Sequence, residues 1–294
     1  MNGDHSDGPI GDLSALGPLI PDNAHQPSLA YVPYLISGTR FYADEMKFWA
    51  NYDIISSWPG NYNSSRQCGQ GLMQMNQVRG FGWTLRNMSD AAAYVPDNDP
   101  FKPYMANIVR NNLSWLDQNS QTSPLGVGMA WIDKRPENQG SSKVVIADWE
   151  QNYLAWAIDH ANQQGFQGGQ LHRDAQARWQ FSLFQDTNYR AYAGSYTINV
   201  GTRDSQGIPT MFTTWQQLYQ ANGWVAGGQA EFRGYYGVDA RLMLMIARKN
   251  AWTGAQGAYD YLFQIIGGSD PNYYNGASDI SLRSGWAIAY DGEP

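Results

Sequence analysis

The chain has 294 residues and a net charge of −7, from 19 basic and 26 acidic side chains, and with no basic run this argues against nonspecific nucleic-acid binding. With 43% hydrophobic and 15% charged residues, it has apolar material for a sizeable core and is neither disordered nor fibrous in composition. No apolar run approaches the roughly 18 to 20 residues of a membrane span, a single cysteine, Cys68, excludes an intramolecular disulfide, and four histidines without HxH, HExxH or CxxC spacing give no metal site.

Pro9, Pro18, Pro21, Pro27 and Pro33 break up the first forty residues, so an irregular lead-in over 1–38 precedes one large domain over 39–294. From Phe41 to Ile54 the apolar residues Phe41, Phe48, Trp49 and Tyr52 fall at helical intervals and predict a helix facing the core with that stripe. Trp58 to Gly71 is crowded with turn formers and reads as a loop. Between Gln77 and Tyr94, Val78, Phe81, Leu85, Met88 and Ala92 keep a spacing of three and four, the clearest helix in the chain, and the following VPDNDP stops it. Further helices are expected near Pro100 to Gln118, through Leu154, Ala157, Ile158 and Ala161 to a stop at Gly165, and over Leu171 to Phe184. Tyr192 to Thr202 is richer in β-branched and turn residues and reads as extended or irregular. TMFTTWQQLYQANG is a further helix, and GVDARLMLMIARKN with TGAQGAYDYLFQII forms a helical hairpin about AWTG. About eight helices without alternating buried strands predict an all-α fold.

The strings DNAHQPSLAYVPYLISGTRFYADEMKFWANYDI, QVRGFGWTLRNMSDAAAYVPDNDP and DWEQNYLAWAIDHANQQGF resemble toroidal polysaccharide lyases and six-hairpin glycosidase-like enzymes, and the resemblance spans most of residues 22 to 266. It implies an (α/α) toroid, incomplete or complete, of helical hairpins whose long loops at one end hold a glycan cleft. It also implies a secreted or periplasmic setting, with a polysaccharide substrate and other domains of a larger secreted protein as partners. The β-sandwich domain frequent in such lyases is not evident here. Neither a cofactor nor a nucleic-acid or membrane partner is expected.

Twelve Trp and nineteen Tyr suit either sugar stacking or a large aromatic core. Among the basic residues Arg outnumbers Lys 14 to 5, which favours forked recognition of the carboxylates of an acidic glycan. On the helix from Gln77, Arg79, Trp83, Arg86 and Asp90 form a second stripe that either binds uronate carboxylates with a ring on Trp83 or pairs its arginines with Asp90 and other acids. His25, in a proline-held loop with Gln26, Tyr31 and Tyr34 nearby, is the preferred base, or else it merely organises that loop. In the next stripe-bearing helix, Trp149, Tyr153, Trp156 and His160 share one face, more in the manner of core than of a sugar platform, while Asp148, Glu150 and Asn152 are expected to be the more exposed candidates for substrate contact. Glu231, Arg233, Tyr235 and Tyr236 lie in a Gly-flanked stretch rich in possible ligand contacts, and Tyr236 is a candidate acid or base.

Three functions follow. In the first, a polysaccharide lyase, His25 or a tyrosine (Tyr31, Tyr236) removes the proton beside a uronate carboxylate that Arg79 or Arg86 neutralises. A glycoside hydrolase would instead pair Asp148 or Glu150 with Glu231 or Asp239, about 5 to 5.5 Å apart for retention or roughly 6.5 to 9.5 Å for inversion, against the simpler reading that each acid begins a helix. The third is a noncatalytic glycan-binding module. The sequons at Asn63, Asn87 and Asn112 carry little weight, and there is no GxSxG elbow, P-loop or dinucleotide fingerprint.

Overall fold

The computed structural model describes residues 28–56, 70–73, 78–126, 128–129, 141–228 and 235–265. These are mostly helical and fall into two compact units, one drawn from residues 1–119 and 157–171, the other from 120–156 and 172–294. Among the described residues no helix is long and apolar enough to cross a membrane.

The first unit opens with α1, Tyr31–Ser37, a short helix inside the segment expected to be irregular. Pro33 is tolerated because it sits in the first turn, where no intrahelical acceptor awaits its missing N–H. Gly38, left-handed at φ 64°, ends the helix by returning its N–H to the Tyr34 carbonyl at 2.7 Å.

In α2, Arg40–Ser56, the helix is where periodicity predicts it but turned the other way. Phe41 and Phe48 are 61% and 54% exposed, while Ala43, Met46, Ala50, Asp53 and Ile54 are buried. Both sets obey helical spacing; the small Ala43 and Ala50 let the buried face approach its neighbour closely. The aromatics instead pack edge-on to one another, Phe41 on Tyr42, Phe48 on Trp49 and Trp49 on Tyr52, with ring centroids 5.3, 5.1 and 5.6 Å apart.

That neighbour is α3, Val78–Tyr94, which packs between α2 and α4, Phe101–Asn119. The predicted stripe of α3 is buried, and so is the opposite one: every residue from Gly80 to Ala92 is buried. A helix enclosed on all sides must satisfy its polar groups internally. Asn87 donates to Asp53 of α2 at 2.7 Å. At its end, Lys102 donates to the carbonyls of Ala93 and Val95 at 2.9 and 3.0 Å and to Asp97 at 2.7 Å, while Asp99 accepts from Phe101 N–H, so VPDNDP both stops α3 and starts α4.

Asn112 of α4 accepts from Met73 N–H and donates to the Gly71 carbonyl, each at 2.9 Å. A Cβ at Gly71, φ 69°, would lie 2.8 Å from Ile108, so only glycine passes so close to α4. Asn87 and Asn112, the two sequon asparagines in the described residues, are 2% and 1% exposed and engaged in the fold, which leaves no room for a glycan on either; Asn63 lies outside the described residues.

The second unit holds a three-stranded antiparallel sheet of β3, Lys143–Ile146, β4, Ile198–Arg203, and β5, Pro209–Met211, in the order β3-β4-β5, and a two-residue hairpin of β1, Gln121–Thr122, with β2, Gly128–Met129. Tyr192 to Thr202 thus divides into a 3-10 turn, Arg190–Gly194, and most of β4. The helices are α5, Asp148–Gln163, whose last residues belong to the first unit, α6, Gln170–Gln185, α7, Trp215–Ala221, α8, Tyr235–Lys249, and α9, Ala255–Ile265. Thr214 and Gln217 form a reciprocal capping box at the start of α7, and Asn222 at its end bonds both the N–H and the carbonyl of Asn199 in β4 at 2.8 Å. The helices α8 and α9 pack as the expected hairpin, and the inner face of the sheet, with Val144, Ile146, Ile198 and Val200, shares one core with Trp179, Leu183, Leu244 and Leu262.

Candidate functional site

In the first unit, the second stripe of α3 meets the end of α5 and the start of α1. Asp90 is fully buried, and its Oδ1 accepts from His160 Nε2 at 2.7 Å and from Gln164 Nε2 at 2.6 Å. The His160 side chain keeps 17% of its surface exposed, so a sealed carboxylate holds a ring that reaches solvent. The same His160 Nε2 lies 2.9 Å from Gln164 Nε2, so the three side chains form one network on the buried carboxylate.

Tyr31, half-buried on α1, lies edge-on to His160 with ring centroids 6.1 Å apart and stacks on Tyr94 at 5.9 Å and 15°. The Arg86 guanidinium hydrogen-bonds the Tyr31 phenol and lies 5.9 Å from the Trp83 ring centre. Burial, and after it the charge of Asp90, push the Tyr31 phenol above its ordinary value, with Arg86 acting in the opposite sense. Tyr31 is therefore a proton donor at neutral pH, not a base. A phenol and an imidazole thus stand side by side, with a buried carboxylate and a guanidinium against them.

Of the sequence candidates, Tyr31 and Arg86 come together here, and Tyr34 follows Tyr31 by three residues on the same side of α1. Arg79 is half-buried, seven residues before Arg86 on α3. Trp83 is 2% exposed, so its indole is packed inside the unit and not presented as a stacking surface. Asp90 Oδ1 is bonded by His160 and Gln164. His25 and Gln26, and Glu231 and Arg233, lie outside the described residues, as do the side chains of Tyr235, Tyr236 and Asp239, whose backbone belongs to α8. Asp239 is the fifth residue of that helix, past the first turn where a helix-starting acid acts.

The second unit overturns the expected exposure of Asp148, Glu150 and Asn152, which are 1%, 3% and 1% exposed. Asp148 Oδ1 accepts from Gln176 Nε2 and Trp179 Nε1, both at 2.7 Å. Gln176 also donates to Asn152 Oδ1 at 2.8 Å, Asn152 to Gln180 Oε1 at 2.9 Å, and Gln180 to the Ala193 carbonyl at 2.9 Å. Every donor to Asp148 is neutral, and burial pushes its carboxyl up to about 6, the two hydrogen bonds offsetting only part of that cost. Nearby, burial pushes the fully enclosed His172 down to about 4, with the Gln151 backbone pulling the other way. Trp149 is buried and stacks on Tyr196 at 5.8 Å, and Tyr153 packs against Trp156 at 5.4 Å, so this face is core as the aromatic pattern predicts.

His160, Asp90, Gln164 and Tyr94 carry the candidate site without having been singled out for it. Asp90 and His160 are each legible as members of a stripe, but their pairing spans 70 residues and no local spacing announces it. Among the described residues no group of three or more His, Cys, Asp or Glu side chains is arranged to hold a metal ion. No family model, curated protein or solved structure matches this chain.

Proposed function

We propose that the chain is a carbohydrate-active enzyme that cleaves a uronate-containing polysaccharide by β-elimination, working in a secreted or periplasmic setting on a scaffold of the (α/α) toroid kind. The observation that carries this reading is the Tyr31, Arg86, Asp90 and His160 constellation, in which a neutral phenol and an imidazole lie within one sugar ring's reach of each other. Consecutive packing of α2, α3 and α4 and the α8–α9 hairpin support the scaffold.

Elimination needs a base for the proton beside the carboxylate, positive charge where the enolate forms, and an acid for the departing oxygen. His160, held in place by Asp90 and Gln164, takes the proton; the C–H electrons form the new double bond, the glycosidic C–O bond breaks, and the leaving oxygen takes the Tyr31 proton. Arg86 holds the phenol in place and supplies positive charge beside it. Glycoside hydrolysis requires two carboxylates facing the substrate; of the acids in that reading Asp148 and Glu150 are buried, while Glu231 and the Asp239 side chain lie outside the described residues.

The test is incubation of the full chain with a panel of uronate and neutral polysaccharides, followed by the absorbance of unsaturated uronyl ends. New reducing ends without that absorbance would make it a hydrolase, and binding without either signal a glycan-binding module; either result ends the lyase reading.

A further inference from the structure

In the second unit, the polar side chains between α5 and α6 are bonded unevenly. Asp148 takes both of its donors, Gln176 Nε2 and Trp179 Nε1, on Oδ1, each at 2.7 Å. Among the described residues no donor reaches Asp148 Oδ2 or Gln176 Oε1, although both side chains are enclosed by the fold. The Gln176 amide cannot turn over to correct this, because its Nε2 also donates to Asn152 Oδ1 at 2.8 Å, and Asn152 in turn donates to Gln180 Oε1 at 2.9 Å. Two acceptors are thus sealed within one hydrogen-bonded chain, where an acceptor without a donor is costly.

A neutral carboxyl and a carboxamide are complementary: N–H to C=O on one side and O–H to C=O on the other close a ring of two hydrogen bonds. Half of that ring is present in the bond from Gln176 Nε2 to Asp148 Oδ1, and the atoms that would make the other half are the two left without a donor. The lopsided bonding of Asp148 suits the acid form as well, in which the carbonyl oxygen accepts and the hydroxyl oxygen donates. We infer that Asp148 takes up a proton on Oδ2 from mildly acidic solution and shares it with Gln176 Oε1, so that acid closes a clasp between α5 and α6. One proton then satisfies both orphaned acceptors. The clasp is independent of the proposed function.

Burial and hydrogen bonding, rather than a neighbouring charge, set the Asp148 carboxyl: burial raises it, and the bonds from Gln176 and Trp179 oppose the rise. On α6, His172 lies four residues before Gln176 and burial keeps it neutral, while Arg173 bonds Asp174 and Arg178 lies over the Trp252 ring. On α5, Glu150 and Tyr153 are buried two and five residues after Asp148, off the face that it shares with Asn152. Arg190, in the 3-10 turn after α6, lies over Tyr261, and Lys143 at the start of β3 is exposed.

Infrared spectra of the full chain in heavy water test this at about pH 5, between the ordinary carboxylate range and the value of about 6 for Asp148, and at about pH 7.5. The expected result is a carboxylic-acid C=O band that is present at the lower pH, lost at the higher one, and missing from Asp148→Asn at both. Gln176→Met, which removes the shared acceptor and a donor, shifts that band to higher frequency. In thermal unfolding at the higher pH, Asp148→Asn melts above the parent, because its N–H stands permanently where the shared proton belongs, whereas Asp148→Leu, which removes the charge and supplies no partner to Gln176, melts below it. Carbon NMR of the unsubstituted chain reads the same state without a variant, as one aspartate Cγ that titrates well above the others. No such aspartate, or an acid band that survives Asp148→Asn undiminished, overturns the proposal. A band whose frequency ignores Gln176→Met overturns the sharing, as does a leucine variant as stable as the asparagine one. An asparagine variant no more stable than the parent shows that another donor, such as a buried water, already serves the ionised Oδ2, and overturns it too.

Discussion

The two units each bury an aspartate completely, and the two carboxylates have opposite surroundings. Asp90 is bonded to an imidazole that reaches solvent, with a phenol and a guanidinium beside it; Asp148 is bonded only to an amide and an indole and is sealed behind them. A buried carboxylate is therefore not by itself a sign of chemistry. What distinguishes Asp90 from Asp148 is a titratable partner with a path to water.

The largest effect that would break this contrast is catalytic. His160→Ala is expected to lower uronate cleavage by a factor of about 10² to 10⁴, the usual range for a general base, with Asp90→Asn following it and Asp148→Asn leaving turnover at the parent level. Equal losses from the Asp90 and Asp148 substitutions would erase the distinction.

Next comes stability against pH. A carboxyl moved from 3.8 to about 6 prefers its protonated form in the folded chain, so its contribution is present below pH 4 and lost as pH rises through 6; at neutral pH this amounts to ~3 kcal/mol. His172, moved from 6.5 down to about 4, works the other way: its contribution is present above pH 6.5 and lost as pH falls toward 4. Between pH 4 and 6 the two slopes oppose each other. Asp148→Asn should raise the thermal midpoint at pH 7, leave it nearly unchanged at pH 4, and expose the acid-side slope of His172. A midpoint for Asp148→Asn that parallels the parent at every pH would show that Asp148 is not a strained carboxyl.

The smallest effects concern the direction in which α2 faces. Met46→Ala, at a site 3% exposed, should cost about 2 to 5 kcal/mol, whereas Phe48→Ala, more than half exposed, should cost well under that despite removing the larger side chain. Chemical denaturation of the two variants measures this directly, and the reverse order would restore the aromatic stripe as the core face.

Helix α3 shows how far the sequence can be read. Its spacing of three and four announces Val78 through Ala92 as a core stripe, but burial of Trp83, Arg86 and Asp90 depends on how many neighbours enclose the helix, a tertiary fact without local trace. In α2 two apolar sets satisfy the same period, and large aromatics outweigh alanines on any hydrophobicity count, so periodicity finds the helix and chooses the wrong side. Lys143 to Ile146 is only four residues long, short enough to pass as the end of a loop, while β4 shows through its β-branched residues. Asp148 stands where a helix-starting acid belongs, and that position conceals its burial. Tyr31 and Arg86 are legible as reactive types, but their meeting with Asp90 and His160 rests on contacts across distant segments.

Tyr31 rides on a seven-residue helix none of whose residues is buried. So short a helix has little stability of its own and opens at small free energy; it packs on α2 and α3, and Tyr31 ties it to Tyr94, His160 and Arg86 of the candidate site. On the proposed function a glycan seated against Tyr31 also steadies α1, so amide hydrogen exchange at Tyr34 to Gly38 should slow when an uncleavable glycan saturates the chain, while the enclosed amides of α3 keep the same exchange rate.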